Sequence, residues 1–209
     1  TMVNMLVNFP DVERFDLKSL QAMAYGASPM PEAVIRRAME IIPDCGFYHA
    51  YGQTEAAPLV TTAPPECHVF EGPNAGLFRA AGQPVVGVEV RVLDEDDNEL
   101  PRGEVGEICV RGPNIMLGYW QQPKLTTEAL RGGWMHSGDG GYMDERGYVF
   151  IVDRMKDMVI SGGENIYSAE VEDALYQHPA VIECAVIGIP DERWGEAVHA
   201  IVRLQEVEQ

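Results

Sequence analysis

From Pro31 to Ile42 the apolar residues Val34, Ile35, Ala38, Met39 and Ile42 recur at the spacing of one helix face. The proline ahead of them suits a first helical turn, whose N–H groups have no intrahelical partner. Leu20 to Tyr25 reads as a short buried strand opening onto Gly26-Ala27-Ser28, and Phe47 to Tyr51 as a second. Strands that alternate with helices and end in glycine-containing loops predict an α/β sheet, with ligands at the strand ends. The pattern changes after about Gly82. Val88, Val90 and Val92 alternate with polar neighbours, an acidic tip follows, and Ile108 and Val110 alternate again, which predicts an antiparallel hairpin in a β-rich subdomain. It changes once more near Asp153 to Asp157. Beyond that point Ser168 can cap a helix containing Val171, Ala174 and Leu175, with Glu170 and Glu172 in its first turn. Val181 to Ile189 reads as a strand, Pro190-Asp191 as a turn, and Val198, Ala200, Val202 and Leu204 as an alternating strand. The expected fold is α/β with a β-rich subdomain, followed by the start of a small α+β C-terminal domain. The boundaries fall at residues 1–82 for the α/β part, 83–153 for the β-rich part, and 154–209 for a hinge and the small domain.

Composition narrows the function classes. A formal charge of −18 over 209 residues argues against nucleic acid, whose binding depends on Lys and Arg neutralising phosphates. Cys45, Cys67, Cys109 and Cys184 form no CxxC pair and have no histidine at zinc-ligand spacing, so reduced thiols are expected. No apolar run reaches a membrane span of about 18 residues, and Thr1-Met2-Val3-Asn4 lacks the charged and apolar regions of a leader. A cytoplasmic protein without a transmembrane segment is expected; a homo-oligomer stays open.

Three stretches could carry chemistry. Tyr51-Gly52-Gln53-Thr54-Glu55 follows an apolar strand and combines an aromatic face, a hydroxyl and a carboxylate. It is either an ordinary loop or one that stacks a base, contacts a phosphate through Thr54 and holds Mg²⁺ through Glu55. Ser137-Gly138-Asp139-Gly140-Gly141 is either a good turn or a carboxylate placed to accept two ribose hydroxyls. Asp153-Arg154-Met155-Lys156-Asp157, ahead of Gly162-Gly163, is either a salt-bridged linker or a hinge.

Together with Gly106-Glu107-Ile108-Cys109-Val110-Arg111-Gly112, and with Gly162-Gly163-Glu164-Asn165 closing the third stretch, these segments follow the order and approximate spacing of the adenylate-forming superfamily. That superfamily includes acyl-CoA synthetases, firefly luciferase and the adenylation domains of peptide synthetases, and the resemblance covers nearly the whole chain. Lys156 through Tyr167 is most similar to fatty-acyl and aryl CoA ligases. The resemblance implies that Gly26, Ala27 and Ser28 line the adenine and acyl pocket, and that Tyr51, Gly52 and Gln53 bind nucleotide, with Tyr51 stacking on the adenine. Thr54 would contact the α-phosphate and Glu55 the magnesium, these two being the catalytic candidates. Asp139 would bind the ribose, assisted by Arg154. Lys156 would stand at the hinge, and Ser161, Gly162 and Gly163 along the coenzyme A channel. The implied reaction converts a small carboxylic acid and ATP to acyl-AMP and pyrophosphate, then transfers the acyl group to coenzyme A.

Two features of the family are not found in these 209 residues: the Ser/Thr/Gly-rich phosphate loop with its lysine, and the near-terminal lysine used in adenylation. Lys18, Lys124 and Lys156 are the lysines present, and none stands in a matching context. The chain therefore resembles an internal fragment of an AMP-forming ligase, expected to be inactive in isolation. Two other readings remain open: an adenylating domain that loads a carrier protein, and a noncatalytic nucleotide-binding or interaction module.

Overall fold

A computed structural model describes residues 2–27 and 30–205, which form three four-stranded sheets. The architecture is mixed α/β. In the first sheet β1 (Ala22–Gly26) runs parallel to β2 (Gly46–Tyr51), and β3 (Thr61–Ala63) and β4 (Gln83–Pro84) add antiparallel to it. The parallel pair needs a crossover, supplied by α2 (Glu32–Ile41). The apolar stripe of α2 does what its spacing predicts: Val34, Ile35 and Ala38 pack with Phe47 of β2 and with Val3 and Val7 of α1 (Met2–Val7) in one core. The Pro31 carbonyl accepts the N–H groups of Val34 and Ile35 and so starts the helix.

The second sheet is antiparallel throughout, in the order β5 (Glu89–Leu93), β6 (Gly106–Arg111), β7 (Met135–Met143) and β8 (Val149–Arg154). Val90, Val92, Ile108, Val110, Met135 and Val149 bury one face of it. At the acidic tip Asp94 accepts the N–H groups of Asp96 and Asn98, a local turn that leaves the charges in water. A bridge between Gly82 and Val149 joins this sheet to the first. Gly138 to Gly141, readable as a turn, instead lies inside β7. Helix α3 (Pro123–Ala129) precedes β7 and buries none of its residues.

The third sheet holds β9 (Val159–Ser161), β10 (Glu164–Ile166), β11 (Val181–Asp191) and β12 (Gly195–Leu204), with α4 (Ser168–Tyr176) packed on β11. Two expectations are corrected here. Ser168 is the first residue of α4 rather than its cap; the cap position is Tyr167, and Asp153 accepts both the Ser168 N–H at 2.5 Å and its hydroxyl at 2.8 Å. A carboxylate at a helix start satisfies an orphan donor and complements the dipole, so the distant Asp153 outcompetes the local serine. Pro190-Asp191 continues β11, pairing with Glu196 and Gly195, and the turn comes after it. The Asp191 carboxylate accepts the N–H groups of Arg193 and Trp194, which closes that turn locally. Val198 to Leu204 form the expected strand within β12, and every residue of that run is exposed. Among the described residues no helix is long and apolar enough to cross a membrane.

Candidate functional site

The first two stretches singled out by sequence meet where the first two sheets come together, and Arg154 joins them from the third stretch. Gly26 and Tyr51 end the parallel strands β1 and β2, the usual ligand-bearing edge of such a sheet. Gly52 then turns the chain so tightly that a Cβ there would sit on the Pro58 carbonyl oxygen. Thr54 to Ala56 form a single 3-10 turn that leaves Thr54 exposed and Glu55 half-buried. Ala27 takes a left-handed φ of 67°, uncommon for a residue with a side chain. Ser28 lies outside the described residues.

Across this edge the Tyr51 hydroxyl donates to Asp139 Oδ2 at 2.7 Å. Arg154 Nε stands 3.5 Å from Asp139 Oδ1, and its backbone is paired with that of Asp139 in the β7–β8 ladder. The amide of Gln53 donates to the Ser137 carbonyl at 3.4 Å. The Tyr51 ring packs on the core of the second sheet. Burial pushes the Asp139 carboxyl above its ordinary value, while the Tyr51 hydroxyl and the Arg154 guanidinium pull the other way. Burial, reinforced by the Asp139 charge, pushes the Tyr51 phenol far up, so it remains a donor.

Glu55 is held from behind. Its Oε1 accepts the Tyr119 hydroxyl at 2.8 Å, and its backbone carbonyl accepts the Met116 N–H at 2.8 Å. Asn114 donates its side-chain amide to the carbonyls of Ala56 and Leu59 at 2.7 and 2.9 Å. Oε2 of Glu55 makes no hydrogen bond among the described residues and could face a cation. One carboxylate beside the exposed Thr54 hydroxyl is a hard, all-oxygen donor set that suits Mg²⁺, which keeps water and phosphate oxygens as its other ligands.

The Lys156 side chain is exposed and makes no hydrogen bond or salt bridge among the described residues. Ser161, Gly162 and Gly163 form the end of β9 and its tight turn into β10, against Trp194: the Gly162 N–H donates to the Trp194 carbonyl at 2.8 Å. The structure thus gathers Tyr51, Gln53, Asp139 and Arg154 into one cluster, and none of the hydrogen bonds or ion pairs among the described residues links Lys156 or residues 161–163 to it.

The model of the AMP-binding enzyme family matches residues 1–120, more than half of the chain, and that of the AMP-binding enzyme C-terminal domain matches residues 170–209. The chain belongs to the AMP-binding enzyme family. It is 46% identical over 201 residues to a fatty acid–[acyl-carrier-protein] ligase of Streptomyces coeruleorubidus, covering 96% of this chain and 38% of that protein. It is 45% identical over 202 residues to a feruloyl-CoA synthase of Amycolatopsis, covering 97% of this chain and 40% of that one. Among solved structures, o-succinylbenzoate coenzyme A synthetase from Bacillus subtilis in complex with ATP and magnesium superimposes with a TM-score of 0.81 at 32% identity, over 100% of this chain and 41% of that chain. The chain spans about two fifths of the length of these relatives.

In this AMP-binding chain the residues that sequence reasoning missed are Asn114, Tyr119 and Glu107, which support the candidate residues rather than stand among them. Glu107 was in a quoted motif without a role, and nothing in the sequence marks Asn114 or Tyr119 as neighbours of Glu55. His49, near the end of β2, pairs through Nδ1 with the backbone carbonyl of Ala80 at 3.1 Å. Cys45, Cys67 and Cys109 are free and buried, and Cys184 is free and half-buried.

Proposed function

We propose that the chain forms the nucleotide floor and the first part of the mobile domain of an ATP-dependent, AMP-forming ligase that activates a carboxylic acid and passes it to coenzyme A. The observation that carries this reading is the contact of Tyr51 with Asp139, which brings the end of β2 and the bulged part of β7 together beside Arg154. Asp139, with two carboxylate oxygens and a partner on each, would accept the ribose hydroxyls, Arg154 assisting. Gly26, Ala27, Gly52 and Gln53 would line the nucleotide cleft. Thr54 would donate to the α-phosphate and Glu55 would hold magnesium, which when bound screens the phosphate charge during carboxylate attack. The chain's part in that chemistry is positioning and charge neutralisation, the usual burden in phosphoryl and adenylyl transfer.

The division into a larger part through residue 153 and a small domain from 154 onward, with Lys156 as hinge, belongs to the same proposal, as does a channel for coenzyme A along Ser161 to Gly163. Fatty and aromatic acids both fit, since relatives of each kind are similar over the same residues. The match to an acyl-carrier-protein ligase favours a second reading, in which a carrier thiol replaces coenzyme A. Incubating the full-length protein with ATP, mixed acids, and either coenzyme A or a phosphopantetheinylated carrier separates the two. The isolated 209 residues are expected to make no acyl-adenylate, and robust carboxylate-dependent pyrophosphate exchange by them would overturn that. Isothermal titration with AMP tests the floor itself: Asp139→Ala should weaken binding by about tenfold or more, the scale of a lost charge-assisted contact. Unchanged affinity would remove Asp139 from the site.

A further inference from the structure

The ladder between β6 and β7 is interrupted beside the proposed ribose site. Glu107 pairs with Gly140 and Cys109 with His136, so Ser137, Gly138 and Asp139 stand opposite Ile108 alone. A bulge of this kind leaves backbone donors unpaired and redirects the side chains it carries. One carboxylate fills it. Glu107 Oε1 accepts the Gly138 N–H at 2.9 Å, while Oε2 accepts from His136 Nδ1 at 2.8 Å and from the Arg131 guanidinium at 3.3 Å. The Gly138 carbonyl is gripped from the other side by the Met155 N–H at 2.9 Å, and Gly138 itself takes a φ of 73°, which glycine tolerates without strain. Glu107 Oε2, Cys109 Sγ and His136 Nδ1 lie close together, but the guanidinium of Arg131 already supplies the positive charge that a metal would bring.

We infer that Glu107 is a positioning residue for ribose recognition: without touching the nucleotide, it holds the Ser137–Asp139 bulge in the shape that presents the Asp139 carboxylate beside Tyr51. This rests on the reading of Asp139 as the ribose-binding group. Loss of Glu107 leaves the Gly138 N–H without an acceptor and His136 Nδ1 with only the Cys109 sulfur at 3.3 Å, and the bulge can then relax towards a continuous ladder that carries Asp139 away. Losing a charge-assisted contact of this kind costs about ten- to a hundredfold in affinity.

The test compares AMP with 2′,3′-dideoxy-AMP by isothermal titration on the full-length protein. The wild type should prefer AMP, and Asp139→Ala should erase the preference. Glu107→Ala should weaken AMP binding by about ten- to a hundredfold and leave the dideoxy analogue within about twofold of wild type. Glu107→Asp, which withdraws the carboxylate by one methylene and keeps its charge, should do the same in part if the alanine variant does not fold. Glu107→Gln, whose amide oxygen can still accept from Gly138, should recover much of the preference. Equal weakening of both ligands in Glu107→Ala or Glu107→Asp would make Glu107 a general support of the hairpin and overturn the inference, as would an unchanged preference for AMP. No preference in the wild type would overturn the ribose reading itself, and the inference with it.

Discussion

Replacing Tyr51 by Phe removes one oxygen from the centre of the site and should destabilise the protein in a pH-dependent way. The hydroxyl donates at 2.7 Å to a carboxylate whose residue is only 9% exposed. Hydrogen bonds to charged groups contribute about 1.5–3 kcal/mol. Arg154 remains as a counter-charge at 3.5 Å, but its side chain is 61% exposed and its help is screened, so the lower part of that range, about 2 kcal/mol, applies. For a chain of this size each kcal/mol shifts Tm by about 2–4 °C, so the loss should be about 4–8 °C. The charge state of Asp139 sets the sign of the pH effect. Its folded pKa is raised above 3.8, and removing the Tyr51 hydroxyl, which lowers it, raises it further. The Tyr51→Phe penalty is therefore largest where Asp139 is ionised and smaller where it is protonated and the lost bond is a neutral one of about 1 kcal/mol. Scanning calorimetry at neutral pH and at a pH below the ordinary carboxyl value of 3.8 reads the difference directly. Equal Tm losses at both, or no loss at either, would refute the reasoning.

Three further outcomes follow from neighbouring contacts. Asp139→Asn should weaken AMP binding yet become progressively stabilising relative to wild type as pH rises: a carboxyl with a raised folded pKa stabilises below its ordinary value of 3.8 and loses that contribution as pH climbs through the folded value. Urea melts across that range check it, and a pH-independent difference would contradict it. Tyr119→Phe frees Glu55 Oε1, and because outer partners of a metal ligand typically matter about tenfold or more, it should raise the magnesium concentration needed for half-maximal activity of the full-length protein while changing Tm little. Asp153→Ala uncaps α4 and should cost about 0.5–2 kcal/mol in denaturant titration, whereas Ser168→Ala, which leaves the backbone N–H bond to Asp153 in place, should cost less.

Much of the fold was legible because its signals are local. The stripe of Val34, Ile35 and Ala38 and the alternation of Val90 and Val92 state a period that burial enforces, and α2 and β5 follow it. The errors fall where a distant group decides. Asp153 displaces Ser168 as the partner of α4 although 15 residues separate them. Gly138 to Gly141 has the composition of a turn, but Glu107 and the β8 backbone supply hydrogen bonds that hold it in a bulged strand. The candidate site divides in the same manner. Tyr51, Thr54, Glu55 and Asp139 carry distinctive chemistry within recognisable spacing, so sequence picks them out. Asn114, Tyr119 and Glu107 act by contacts across 58, 64 and 31 positions, and no spacing rule reaches that far.

The central claim is that the full-length protein containing this chain splits ATP at the α-phosphate. Following ATP turnover with mixed fatty and aromatic acids by mass spectrometry tests it most directly. The account predicts acid-dependent AMP and pyrophosphate, with an acyl thioester once a thiol acceptor is added, and loss of all of these in Asp139→Ala. Formation of ADP and phosphate, or AMP release that is indifferent to the acids and to Asp139, would contradict it.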